Sequence, residues 1–143
     1  MRIFLFICMI SVALLSETKL AKPEPSFEKQ RLVIFPIKSA QDEEIHHVLS
    51  IANNILKFYG PENIKLRIVA YYHGIRALEK KEKEIVSRID ALMQYDVEFV
   101  ACSKSMETKK IEKKDLIDGI EIVSSGVAEI IEREQEGWNY IVP

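Results

Sequence analysis

Residues 31–37, RLVIFPI, form a continuous apolar run between polar stretches, as expected of a strand buried on both faces. A strand of this kind needs cover above and below, so the rest of the chain must supply helices for two faces of a sheet. From Ser39 to Tyr59, residues Ile45, Val48, Leu49, Ala52, Ile55, Leu56 and Tyr59 recur at the spacing of an amphipathic helix. Ser39 or Asp42 is its candidate cap, and Gly60-Pro61 is its stop. Pro36 places the far end of the first strand at an edge or in an irregular stretch, because proline donates no ladder hydrogen bond.

The alternation continues. Asn63 to Tyr71 reads as a second strand, with a turn at His73-Gly74. Residues 75–84 are rich in Lys and Glu and read as a solvated helix or loop. Ile85, Ile89, Leu92 and Met93 then carry a helix. Val97 to Cys102 is a third strand. Ser103 to Lys114 is polar and holds a short helix or lid anchored by Ile111 and Leu116. Gly119 to Val123 is a fourth strand, Ser125 caps a helix from Gly126 to Glu136, and Trp138 to Val142 is a last short strand. Strands alternating with helices predict an α/β fold, with a mainly parallel five-stranded sheet sandwiched between helical layers. Trp138 and Tyr140 are expected to pack in the core or at an interface.

The N-terminus reads as a targeting segment. Arg2 is followed by an almost wholly apolar stretch from Ile3 to Leu15, too short for a membrane span, which needs about 20 apolar residues. Residues 1–21 are therefore expected to be a signal peptide, with an uncleaved anchor as the alternative. Residues 22–30, with Pro23 and Pro25, form a linker, and 31–143 one α/β domain of an exported, periplasmic protein. Loss of residues 1–21 removes two cations and one anion and moves the formal net charge from −2 to −3. That balance lacks the basic footprint of a nucleic-acid partner, and nothing in it points to a membrane surface for the mature form.

Cys8 would leave with the signal, so Cys102 is the one cysteine of the mature chain. In an exported protein a lone cysteine is a pairing site between chains, a reactive thiol, or a small buried hydrophobe. In open α/β sheets ligands gather at the carboxyl ends of the strands, where Cys102 lies. A helix beginning at Ser103-Lys104-Ser105, with Lys104, Lys109 and Lys110 nearby, would favour the thiolate, the nucleophilic form. His73 follows the second strand at the same end of the sheet and is a candidate base or hydrogen-bond donor to Cys102; otherwise it is a surface turn residue. His46 and His47 are adjacent on one helix, point to different faces and make a poor metal pair. There is no phosphate-binding loop, dinucleotide fingerprint, nucleophile elbow or C-x-x-C pair, so no cofactor and no metal is expected.

Three stretches together resemble the DsrE/DsrF-like family of small sulfur-metabolism proteins: IANNILKFYGPENIKLRIVAYYHGI (51–75), VEFVACSKSM (97–106) and GIEIVSSGVAEIIEREQEGWNYIVP (119–143). The likeness is closest to exported, stand-alone members and covers roughly residues 31–143. It implies a three-layer α/β/α fold, assembly into homotrimers or homohexamers, and a strand-end cysteine that accepts sulfur as a persulfide. Cys102 falls at that position. Where relay members continue with small apolar residues and an Arg-Gly pair, this chain has Ser103-Lys104-Ser105-Met106.

The expected function is that of a sulfur carrier or sulfurtransferase-like protein using Cys102, with His73 and Lys104 tuning it and with sulfur donor and acceptor proteins as partners. The alternative is a non-catalytic oligomeric module that binds a small ligand or a protein and has a structural cysteine. A third class, metal or haem-related binding, would use His46, His47 or His73.

Overall fold

The computed structural model describes residues 16–143. The first fifteen residues of the segment read as a signal, Cys8 included, lie outside the described residues; Ser16 to Ala21 are exposed and take no regular structure. The linker makes one small bridged turn, Ser26 against Lys29, and Arg31 Nη2 donates to the carbonyls of Ala21 and Pro23.

The elements are β1 (Arg31–Ile37), α1 (Asp42–Tyr59), β2 (Ile64–Ala70), a 3-10 helix (Tyr72–Leu78), α2 (Lys83–Met93), β3 (Glu98–Cys102), α3 (Ser103–Lys109), a 3-10 turn (Lys113–Asp115), β4 (Glu121–Val123), α4 (Gly126–Gln135) and β5 (Asn139–Tyr140). They build one five-stranded sheet in the order β4-β3-β2-β1-β5, with every pairing parallel. Strands β1 to β4 are laid down in one direction, and the chain then reverses to place β5 on the far side of β1. Crossovers between parallel strands are right-handed, so helices made while stepping one way cover one face, and a helix made on the return covers the other. Accordingly α1 and α2 pack on the face carrying Phe35, Leu66, Ile68 and Phe99, while α4 packs through Ile130 on Ile34, Val69 and Val100, beside Trp138. The three-layer architecture follows from that one reversal.

Several local details differ from the sequence reading. Helix α1 is capped by neither Ser39 nor Asp42 in the usual way: Gln41 is the N-cap with no side-chain cap bond, Asp42 is the first helical residue, and Ser39 Oγ accepts from the Gln41 N–H. Pro36 lies in a central strand, at a far end whose β5 side is unpaired, so the expected edge is a local one. Ile37 faces β2 and Ile34 faces β5 with their backbone groups, so Pro36 directs its missing N–H toward β5. The β1–β5 ladder stops at Ile34 and Tyr140, with a last bond from Ile141 N–H to Ile34 O. The expected turn at His73-Gly74 is a 3-10 helix, and its Ile75, Ala77 and Leu78 are buried instead of belonging to a solvated stretch. Gly74 allows this docking, since a Cβ there would lie 2.0 Å from the carbonyl oxygen of Ile37. Tyr140 is partly exposed, whereas Trp138 is buried.

The α4 face also buries one charge. Arg67, on β2, has a side chain only 9% exposed and reaches three carboxylates: Glu98 on β3, Glu121 on β4 (2.8 Å) and Glu129 on α4 (2.8 Å). Burial opposes its charge, but the hydrogen bonds and fields of these carboxylates outweigh that and raise its pKa. The guanidinium thereby ties three secondary-structure elements to β2. Burial lifts the Glu98 carboxyl, and bonds from Lys65 and Arg67 more than reverse that, leaving it lowered.

Arg67→Met removes the counterion shared by the three carboxylates, leaving Glu98 to Lys65 and Glu129 to Arg133, and is expected to cost about 3 kcal/mol, read as a lower urea midpoint with an unchanged slope. Glu121→Gln, at a side chain 54% exposed, should cost less than about 1 kcal/mol. A lowered carboxyl stabilises the fold above its unfolded pKa of about 4.3 and loses that contribution as the pH falls through its native value. The wild-type midpoint should therefore fall more steeply than that of Arg67→Met as a titration passes below about pH 4.

Candidate functional site

The reversal that sets the layers also sets the site. Helix α3 leaves β3 toward the α1/α2 face, burying Met106 there, and α4 leaves β4 toward the other. Between the carboxyl ends of β3 and β4 the following helices therefore diverge, which opens a crevice at the strand ends. Cys102 is the last residue of β3 and also the N-cap of α3, with extended backbone. Its side chain follows Val100 and Glu98 on the α4 face. Gly126, the first residue of α4, packs against it: a Cβ on Gly126 would lie 3.2 Å from Cys102 Cβ and 3.1 Å from the side chains of Tyr71 and Val69. Ser125 caps α4 as expected, its Oγ accepting from Ala128 N–H at 3.4 Å.

The sulfur is thus held between two helix beginnings. Cys102 is only 6% exposed, and this burial pushes the thiol pKa up. Opposing it is the influence of the Ser105 hydroxyl and of the backbone N–H groups of Gly126, Ser105 and Lys104, and the net shift is downward. Ser105 is committed to this role by its other partner. Tyr72 N–H donates to Ser105 Oγ at 2.7 Å, so the hydroxyl proton is free to point at the sulfur. Tyr72 itself has φ of 55°, in the left-handed region that costs energy for a bulky residue, and the bond to Ser105 holds it there.

Cys102 opens onto a cavity of about 280 Å³ walled by Tyr71, Tyr72, Ser105, Thr108, Ser125 and Val127, with Lys104 and Lys109 at its border. Lys104 is exposed and pairs with Glu107 at 3.1 Å. His73 does not line this cavity. Its ring lies against that of Tyr72 with centroids 3.9 Å apart, and its Nδ1 is 2.7 Å from Lys109 Nζ. An ammonium only donates, so Nδ1 accepts and the proton of the neutral ring sits on Nε2. The same ammonium stands 5.8 Å from the Tyr72 ring centre. Of the three residues singled out from sequence, the structure brings Cys102 and Lys104 to one cavity and connects His73 to it through Lys109.

Ser105 and Gly126 were not singled out by the sequence reading. One signal was available for Ser105. A helix N-cap and the residue three positions on face each other in a capping box, and the C-x-x-S spacing places Ser105 in that relation to Cys102. Gly126 carried no signal without the sheet order. The other histidines stand elsewhere: His46 Nδ1 is 2.7 Å from Arg88 Nη1, and His47 is exposed. Among the described residues, no three His, Cys, Asp or Glu side chains gather to hold a metal. A roomier recess of about 530 Å³ lies at the opposite, amino end of the strands beside Lys65, Glu98 and Glu121; it contains no nucleophile, and these three charges are already paired.

Comparison with known proteins bears on this arrangement. No match was found among the curated proteins. The solved structure of a protein of unknown function, MTH1491 from Methanobacterium thermoautotrophicum, superposes with a TM-score of 0.75 at 29% identity, over 80% of this chain and 100% of that one. The ychN protein from E. coli superposes with a TM-score of 0.67 at 19% identity, over 80% of this chain and 99% of its own, a likeness of fold. The model of the DsrE/DsrF-like family matches residues 31–143, which takes in the whole sheet, Cys102 and both helices that meet at it. The chain belongs to the DsrE/DsrF-like family, a family associated with sulfur metabolism.

Proposed function

We propose that the protein is a sulfur carrier that accepts sulfane sulfur as a persulfide on Cys102. The observation that supports it best is the place of Cys102 at the end of β3, at the start of α3, against the first residue of α4 and on the lining of a cavity, where nearby N–H groups and the Ser105 hydroxyl favour its thiolate. A purely structural cysteine gains nothing from donors that favour its charged form, whereas a nucleophile does. The Cys102 thiolate attacks the outer sulfur of a donor, a new S–S bond forms, and the donor's own S–S bond breaks with its electron pair leaving on the departing group. The terminal sulfur then passes to the thiolate of an acceptor by the same exchange. Lys104 and His73 act on the field of the cavity, His73 by holding Lys109. The near-complete burial of Cys102 favours a second reading, a binding module with a structural cysteine.

The reading extends to context. The apolar leader supports export to the periplasm. Val127, Ile131, Tyr140 and Val142 leave an exposed apolar surface around α4 and the C-terminus, which supports a homotrimer or homohexamer joined there. Val127 also borders the cavity, so such an interface would run beside Cys102.

Incubation of the folded protein with polysulfide should add roughly 32 Da to the intact mass, removable by reductant and absent in Cys102→Ser. Labelling only after denaturation would establish the structural reading instead. The rate of iodoacetamide alkylation of Cys102 should rise with pH and level off below the ordinary thiol pKa of about 8.5. Ser105→Ala should move that inflection upward while Ser105→Thr largely restores it, because the lost donor favours only the thiolate. In sedimentation, Val127→Glu with Ile131→Glu should reduce the assembly to monomers without lowering the urea midpoint.

A further inference from the structure

Resting on the persulfide reading, we infer that the donor admitted to the Cys102 cavity is a small anionic sulfane-sulfur compound, bound by Lys104 and Lys109. The residues lining the cavity include two lysines and no acidic side chain. Of its aliphatic hydroxyls, Ser105 accepts from Tyr72 N–H, Thr108 donates to the Lys104 carbonyl at 2.9 Å, and Ser125 accepts from Ala128 N–H at the cap of α4. The lysines are the charged groups of the lining. Lys109 is positioned by His73 Nδ1 and the Tyr72 ring rather than by a counterion. Lys104 has only the solvent-exposed Glu107, a surface pair of the kind that contributes little and exchanges readily.

Size and charge point the same way. A volume of about 280 Å³ is at the lower end for ligand cavities and suits a compact ion better than a long organic chain. An anionic donor must also approach an anionic nucleophile, and like charges repel strongly where water is partly excluded. Two ammonium groups at the cavity border offset that repulsion, a need that a neutral donor would not create.

Inorganic thiosulfate represents the class. The Cys102 thiolate attacks its outer sulfur, the Cys–S–S bond forms, the S–S bond of thiosulfate breaks, and sulfite leaves with the electron pair. The total charge of three negatives is the same on both sides, and no proton, oxidant or reductant is needed.

The test compares Cys102 reactivity toward sulfonatoethyl and trimethylammonioethyl methanethiosulfonate, with thiosulfate and polysulfide as sulfur donors read by intact mass. Taking the ratio of anionic to cationic rates cancels the thiolate population. In wild type that ratio should exceed the ratio for free cysteine by about tenfold, and thiosulfate should yield the persulfide. In Lys104→Gln with Lys109→Gln, both at exposed positions, the ratio should fall to that of free cysteine and transfer from thiosulfate should be lost. A wild-type ratio equal to that of free cysteine, a ratio indifferent to the double substitution, or transfer from thiosulfate that survives the double substitution would overturn the anionic-donor inference and leave the carrier reading standing. Labelling by both reagents with no sulfur accepted from any donor would overturn the carrier reading, and this inference with it.

Discussion

The handedness of parallel crossovers is the constraint on which the rest of this structure depends. Had the chain kept stepping one way after β4, all its helices would lie on one face and the other would be bare. The reversal that brings β5 back beside β1 sends α4 to that second face. The same reversal makes α3 and α4 diverge at the ends of β3 and β4. A cysteine ending β3 then meets the beginning of a helix that follows a different strand. Cover for the sheet and a polarised strand-end crevice are two consequences of one topological event.

That event has an energetic counterpart along the α4 face. Only one helix covers this side, and its apolar cluster is small. The amino-terminal part of the face is closed by Arg67 and its carboxylates, the carboxyl-terminal part by the packing of Gly126 on Val69, Tyr71 and Cys102. A Cβ at Gly126 would stand 3.1–3.2 Å from Tyr71, Val69 and Cys102, so α4 or these side chains would have to give way slightly. The small residue that lets α4 seat also has an N–H that favours the thiolate. Stability and thiolate stabilisation share a contact here, so the position of α4 links the two.

The sequence carried the element order and the strand-end position of Cys102 well, because both rest on periodicity and on short-range stop signals. Ile45, Leu49, Ala52 and Leu56 announce the buried stripe of α1 without knowledge of its neighbours. Relations set by the sheet order were not legible. Pro36 suggested an edge, since one strand read alone cannot say which side of its ladder has a partner. Ile75, Ala77 and Leu78 lay hidden against a run of charge, and their burial depends on Gly74 meeting the end of β1. The partners of Arg67 are distant in sequence, and the part of His73 as the holder of Lys109 needed the left-handed turn at Tyr72.

The burial of Cys102 and its proposed chemistry are compatible on geometric grounds. At 6% exposure the free thiol is largely shielded on the lining of a cavity of about 280 Å³, which limits random disulfide exchange. A persulfide adds an S–S bond of about 2 Å, which carries the reactive atom beyond the Cys102 sulfur. On the proposed reading the empty protein is shielded, and loading brings the reactive sulfur farther from the buried side chain. A fully exposed cysteine would react faster in both states but could not make this distinction, and the depth of Cys102 in the crevice is what provides it.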